Sequence, residues 1–196
     1  MSHYFVNDPN LKSQKKCISY HFFDVEVRFQ TDSGVFSKGE VDTGSLALLK
    51  VLVKQDLGKR ILDLGCGYGV IGIILKKYFP TSEIEMVDVN ERAIALSHEN
   101  CRLNQTNNQI TLSDGFANIK STYDSIVTNP PIRAGKAVIY KMFEDSVDHL
   151  EEGGSLYVVM RKSHGALSAV KKLELLYGNC RVIGKDSGFY ILRSIK

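Results

Sequence analysis

Asn129, Pro130 and Pro131, inside the stretch "SIVTNPPIRAGK" (Ser125 to Lys136), have side chains and spacing that could do chemistry. They end an apolar run that reads as a strand. A proline disfavours the helical region for the residue before it, so Asn129 and Pro130 are held extended. Neither proline has an N–H to donate. Such a loop presents acceptors, the Asn129 side-chain oxygen and a proline carbonyl. Two fixed acceptors match an NH₂ group, which has two hydrogens to give. Holding both aims the nitrogen lone pair, otherwise delocalised into a base or amide, at an incoming methyl group. That is catalysis by positioning and electrostatics. The plain alternative is a turn, because Pro-Pro after a strand commonly only punctuates. Ile132, Arg133 and Lys136 follow directly.

A second constellation is "DLGCGYGVIG", Asp63 to Gly72. Gly65, Gly67 and Gly69 permit a tight turn and let a ligand lie against bare backbone, with Cys66 between them. The helix that follows offers free N–H groups. Two registers compete. Gly67, Gly69 and Gly72 satisfy G-x-G-x-x-G, the dinucleotide fingerprint, with Asp88 placed for a ribose hydroxyl. Asp63, Gly65, Gly67 and Gly69 satisfy D-x-G-x-G-x-G. There the carboxylate suits a cofactor with a cationic amine and sulfonium better than a pyrophosphate. A sulfonium is already a good leaving group, so methyl transfer from it needs no acid and no metal. Asp88 and Val89 in "MVDVN" could hold the ribose, or Asp88 could cap the next helix. Asp114 and Gly115 in "SDGF" could meet an adenine amino group or form a turn.

These motifs need elements to position them. "CISYHFF" and "VEVRFQT" alternate and are rich in β-branched and aromatic residues, which predicts a small hairpin. "SLALLKVLVKQDL" has helical spacing. From Arg60 onward strands and helices alternate: "RILDL", "VIGIILKKYF", "EIEMVDV", "ERAIALSHENCRLN", "QITLSD", "YDSIVTN", "GKAVIYKMFEDSVDHLEE", "SLYVVMR" and "GALSAVKKLELLYG", then a terminal pair in "CRVIGKDSGFYILRSI". Gly153 and Gly154 are expected to close the helix before "SLYVVMR". The pattern predicts an α/β fold, a Rossmann-like, mostly parallel seven-stranded sheet with the last strand antiparallel and a small N-terminal hairpin extension. One domain is expected over 1–196, with 1–42 the extension and 43–196 the core. Ligands of such sheets sit beyond the carboxyl ends of the strands, and all four motifs fall there.

Bulk properties narrow the classes. The chain has 196 residues, 43% hydrophobic and 24% charged, as a globular domain does. No apolar run approaches the roughly 18 residues of a membrane span, and the N-terminus lacks a signal-peptide pattern. Cys17, Cys66, Cys101 and Cys180 are far apart, without metal-ligand spacing. Free thiols, a cytoplasmic location and no metal are expected. Net charge is +3, so placement matters more than total. Arg161, Lys162 and His164 leave a strand end on the face of Arg133 and Lys136, where a phosphate backbone could lie. His98 and His149 sit in helices without a nameable partner.

"DLGCGYG", "VDVN", "SDG" and "NPPI", in this order, resemble the class I S-adenosylmethionine-dependent methyltransferases, and NPP resembles the amino methyltransferases. "HYF", "TDSGVFSKGEVDTGS" and "NPPIRAGK" are similar to the small-domain methyltransferases related to ribosomal small-subunit methyltransferase C. The resemblance covers nearly the whole chain and implies S-adenosylmethionine as cofactor and the N2 amino group of a 16S rRNA guanine as target. It implies Gly65, Cys66, Gly67 and Gly69 beside the cofactor and Asp63 near its methionine end. Asp88 and Val89 would serve the ribose, Asp114 and Gly115 the adenine, and Asn129 and Pro130 the target amine. Phe36, Ser37 and Asp42 would pack beside the cofactor. Phe36, Ser37, Ile132, Arg133, Lys136, Arg161 and Lys162 would face the substrate, which is rRNA or the small ribosomal subunit, bound by a monomer or weak dimer. Two departures stand out. Ile132 occupies the place where many NPP enzymes have a stacking aromatic, and the chain is expected to correspond to the catalytic portion of longer relatives, which carry an extra N-terminal domain. A protein glutamine amide or DNA adenine N6 would suit the same NPP chemistry. A nucleotide-binding protein using NAD is the reading from a different class.

Overall fold

The alternation beginning at Arg60 folds as a seven-stranded sheet covered by helices on both faces. The computed structural model describes residues 12–35, 37 and 39–196. A hairpin of β1 (Lys16–Phe22) and β2 (Val25–Thr31) leads to α1 (Thr43–Leu52). Then come β3 (Arg60–Leu64), α2 (Val70–Tyr78), β4 (Glu83–Asp88), α3 (Glu91–Asn104), β5 (Gln109–Leu112), β6 (Tyr123–Thr128), α4 (Lys136–Asp148), β7 (Leu150–Arg161), α5 (Ala166–Tyr177), β8 (Arg181–Asp186) and β9 (Phe189–Ile195). The sheet order is β5-β4-β3-β6-β7-β9-β8. β3 pairs in parallel with both β4 and β6, and β9 is antiparallel to both β7 and β8. The chain therefore winds outward from β3 in one direction, then returns to β6 on its other side. This reversal opens a crevice at the carboxyl ends of β3 and β6.

Alternation along each strand sends side chains to two cores. Ile61 packs with Leu48, Ile73 and Phe29 on the face of α1 and α2, whereas Leu62 and Leu64 pack with Ile126, Phe143 and Leu173 on the face of α4 and α5. Asp63 shares the parity of Ile61 and is wholly buried. Its carboxylate thus lies on the side of α2.

The hairpin stands apart from the large sheet and docks on α3 through two asparagines. Asn100 accepts from the Gln30 N–H and donates to the Gln30 carbonyl, and Asn104 does the same with Arg28. Each primary amide thereby takes the place of a neighbouring strand's peptide group, which satisfies one edge of β2 without another strand.

One expectation fails locally. α4 ends at Asp148, and Gly153 and Gly154 lie inside β7 instead of closing the helix. The register between β6 and β7 shifts between Tyr123 and Ser125. A Cβ on Gly154 would lie 2.8 Å from the Glu151 carbonyl and 3.1 Å from that of Tyr123. Gly154 therefore serves a bulge, where backbones approach closely, and Gly153 beside it takes a left-handed backbone at φ +79°. Among the described residues no helix is long and apolar enough to cross a membrane.

Candidate active site

A cavity of about 820 Å³ opens at the carboxyl ends of the central strands, between the first turn of α1 and one face of α4. One half of it is built from β–α turns. The Gly65 and Cys66 N–H groups both donate to the Val87 carbonyl at 2.9 Å, tying the glycine loop to β4. Gly67, at φ +57°, would carry its Cβ into open space, so it presents bare backbone to the cavity. Its N–H donates to Asp88 Oδ2 at 2.8 Å, and Asp88 Oδ1 accepts from Asn90 N–H at 2.9 Å. Burial pushes the Asp88 carboxyl above its ordinary range. Capping of α3 falls to Asn90, which accepts from the Arg92 and Ala93 N–H groups, so Asp88 is not the cap. Val89, Asp114 and Gly115 complete this half. The turn beneath Asp114 is held by Ser113, whose hydroxyl donates to the Gly115 carbonyl and accepts from Asn118 N–H.

Some expected cofactor residues lie elsewhere. Asp63 does not line the cavity. Its Oδ2 accepts from Gly72 N–H at 2.8 Å, while Oδ1 has no partner among the described residues. Burial pushes this carboxyl up to about 7. It holds the first turn of α2 from one layer below the loop. Gly69 caps α2 rather than facing the cavity. Gly72 lets α2 approach β4, since a Cβ there would lie 2.3 Å from the Met86 sulfur. Close helix–strand packing is also what the third glycine of a dinucleotide fingerprint does, so the loop by itself leaves the two registers open.

The other half is assembled over long distances in sequence. Asp42 caps α1 by accepting from Ser45 N–H at 2.8 Å. The same Oδ2 accepts from Asn129 Nδ2 at 2.8 Å, and Nδ2 also donates to Ser45 Oγ at 3.0 Å. A carboxylate can only accept, so the Asn129 NH₂ must face Asp42 and its Oδ1 must point the other way. The Pro131 carbonyl takes the Ala134 N–H in a 3₁₀ turn, Ile132–Ala134, and Pro130 lines the cavity beside Asn129. Ile132, Arg133, Arg161, His164 and Phe189 ring this end, whereas Lys141, Met142 and Asp145 line the cavity from α4 on the side of Gly65 and Asp114.

Lys136 and Lys162 are exposed and do not line the cavity, nor does Ser37, whose hydroxyl donates to the Glu40 carbonyl. Phe36 and "HYF" lie outside the described residues. His149 is structural: its ring stacks on Phe116 and its nitrogens face the Asp145 and Ile119 carbonyls. His98 is exposed. Sequence reading missed Ser45, Phe189 and the α4 residues. Ser45 was visible as the third residue after a capping aspartate. Phe189 becomes a site residue only through its pairing with Arg161.

These donors and acceptors fit a cationic, adenosine-containing cofactor: bare backbone at Gly67, a carboxylate at Asp88, and Asp114 beyond it. Comparison with known proteins agrees. A family model described as methyltransferase small domain matches residues 26–193. A Bacillus subtilis protein, described as uncharacterized protein YbxB, is 46% identical over 99% of this chain and 98% of its own. Ribosomal RNA small subunit methyltransferase C from Vibrio cholerae is 36% identical, over 87% of this chain and 50% of its own length. A solved T. thermophilus 16S rRNA N2 methyltransferase, in complex with AdoMet and guanosine, superposes with a TM-score of 0.85 at 27% identity, over 96% of this chain and 52% of that one. The chain thus spans about half the length of the named methyltransferases it matches.

Proposed function

The chain belongs to the methyltransferase small domain family, a class I S-adenosylmethionine-dependent methyltransferase, and from that premise we propose that it methylates the N2 amino group of a guanine in 16S rRNA. S-adenosylmethionine, when bound, supplies a methyl group already activated on a sulfonium. The protein's own task is to hold and orient the acceptor. The observation that carries this reading is the orientation of Asn129. With its NH₂ fixed by Asp42 and Ser45, its Oδ1 and the Pro130 carbonyl form the two acceptors that an exocyclic amine requires. Accepting both hydrogens localises the lone pair on nitrogen and stabilises the positive charge that nitrogen gains as the methyl arrives. Asp88 and the Gly67 backbone serve the cofactor, with Val89, Asp114 and Gly115 beside its adenine.

Charge placement supports a polyanionic acceptor. Arg133, Arg161 and His164 ring the acceptor end, with Lys136 and Lys162 exposed nearby, and cations of this kind position a phosphate backbone without reading sequence. The test is transfer of labelled methyl from S-adenosylmethionine to small ribosomal subunits, naked 16S rRNA, adenine-containing DNA and release factors, followed by nucleoside analysis. N2-methylguanine in the RNA is expected. Label in protein or on DNA adenine with none in RNA overturns the substrate assignment and leaves the amine chemistry standing.

A further inference from the structure

A heteroaromatic acceptor is held by two kinds of contact, hydrogen bonds at its edge and stacking on its face. Asn129 and Pro130 serve an edge. The face needs a flat partner. Among the described residues lining the cavity, the phenyl and phenol rings are those of Tyr68 and Phe189. Tyr68 is buried, set edge-on to Phe29 with centroids 5.8 Å apart, and its hydroxyl donates to the Glu40 carbonyl. Phe189 is half-buried and opens on the acceptor end.

Its position is fixed by the sheet. Phe189, the first residue of β9, lies directly opposite Arg161, the last of β7. The Lys162 N–H donates to the Gly188 carbonyl at 2.9 Å, carrying the ladder one step further. Arg161 thus shares a face with Val159, which also lines the cavity. Its guanidinium lies over the Phe189 ring, 4.8 Å from the centroid. Gly44 explains how the ring reaches the reacting end. A Cβ there would lie 2.9 Å from the Phe189 ring and 3.0 Å from Asp42 Oδ2, the atom that orients Asn129. The ring therefore packs against the same turn that aims the amine acceptor.

We propose that Phe189 and Arg161 form the stacking platform for the target base, the ring as its fixed floor and the exposed guanidinium as its outer layer. Both ring faces and guanidinium planes stack bases. The inference rests on the guanine reading above.

The test is steady-state methyl transfer to 16S rRNA by the full chain, with S-adenosylmethionine affinity measured in parallel by calorimetry. Phe189→Leu keeps apolar packing against Gly44 but removes the π face. It should raise KM for RNA about tenfold with cofactor affinity unchanged, and Phe189→Tyr should restore KM to within about twofold of the parent. Arg161→Lys keeps the charge and loses the plane, so it should weaken RNA binding as much as Arg161→Ala. Unchanged KM in Phe189→Leu overturns the platform, and so does equal impairment in Phe189→Tyr, which a packing role alone predicts. Parent-like KM in Arg161→Lys with a weakened Arg161→Ala makes Arg161 a phosphate contact and overturns its part in the stack. Each of these results leaves the guanine assignment standing. Failure of the unsubstituted chain to form N2-methylguanine in any RNA overturns both.

Discussion

The two halves of the cavity are built in different ways. Around the glycine loop, the bonds that fix functional groups are short in sequence or join adjacent parallel strands: Gly67 to Asp88, Asp88 to Asn90, Gly65 and Cys66 to Val87. Around Asn129, the fixing bonds reach back 84 and 87 residues to Ser45 and Asp42, and the aromatic floor arrives from the last strand. The charges are mixed in both halves: Asp88 and Asp114 line the first with Lys141 of α4 close to Asp114, and the Asp42 carboxylate sits with Arg133, Arg161 and His164 in the second. The groups of the first half are fixed by local turns and by the pairing of β3 with β4. The acceptor site exists only once α1, β6, β7 and β9 have come together.

If the halves are separable, each should be damaged without the other. Asn129→Ala carries the largest expected effect, a fall in kcat of about two to three orders of magnitude, the scale seen when one preorganised polar group is removed. S-adenosylmethionine affinity should stay within about twofold of the parent. Single-turnover kinetics with calorimetry reads both numbers. Collapse of cofactor affinity would mean that Asn129 belongs to the first half. Asp88→Ala should do the reverse, weakening the cofactor roughly 10- to 100-fold, as loss of hydrogen bonds to a charged group does. Its kcat at saturating cofactor should move less than its affinity.

A smaller change tests how the second half is oriented. Asp42→Asn replaces an acceptor-only carboxylate with an amide that can face Asn129 either way. Asn129 then loses the constraint that turns its Oδ1 outward. We expect kcat to fall about tenfold, by loss of a charge-assisted hydrogen bond, with KM for RNA unchanged. Asp42→Glu should not rescue it, because the longer side chain cannot cap α1 in the same geometry. A rise in KM alone would make Asp42 a contact of the substrate rather than of Asn129.

The same contrast explains what could be read from the chain. The sheet, its crossover pattern, the hairpin and the cofactor loops follow from local periodicity and from glycines and carboxylates at strand ends. Two glycines misled locally: Gly153 and Gly154 look like a helix stop, yet lie inside β7 at a bulge set by its pairing with β6. Asp63 was assigned to the cofactor because its motif adjoins the loop. Strand parity instead turns it toward α2. Ser45 and Phe189 escaped because their roles depend on register and on a contact across more than eighty residues, which no local pattern encodes.

The weakest expected effect concerns that buried Asp63. Burial holds its carboxyl near 7 in the folded chain, against an ordinary value of 3.8. The fold therefore binds its proton more tightly than the unfolded chain does. The associated stability is fully present below about pH 4 and is lost as pH rises through about 7, at up to about 1.4 kcal/mol per pH unit between those limits. Asp63→Asn cannot ionise, and its amide oxygen can still accept from Gly72 N–H. Its melting temperature relative to the parent should therefore climb between pH 5 and pH 8, measured without cofactor. A difference that stays flat over that range would mean that Asp63 titrates as an ordinary carboxylate. Hydrogen exchange sharpens the result. In the parent, the Gly72 amide and the first turn of α2 should lose protection on going from pH 5 to pH 8, after correction for intrinsic exchange, while Asn129 and the cap of α1 should not. If both regions loosen together, the two halves share one cooperative unit, and their separate construction does not extend to their stability.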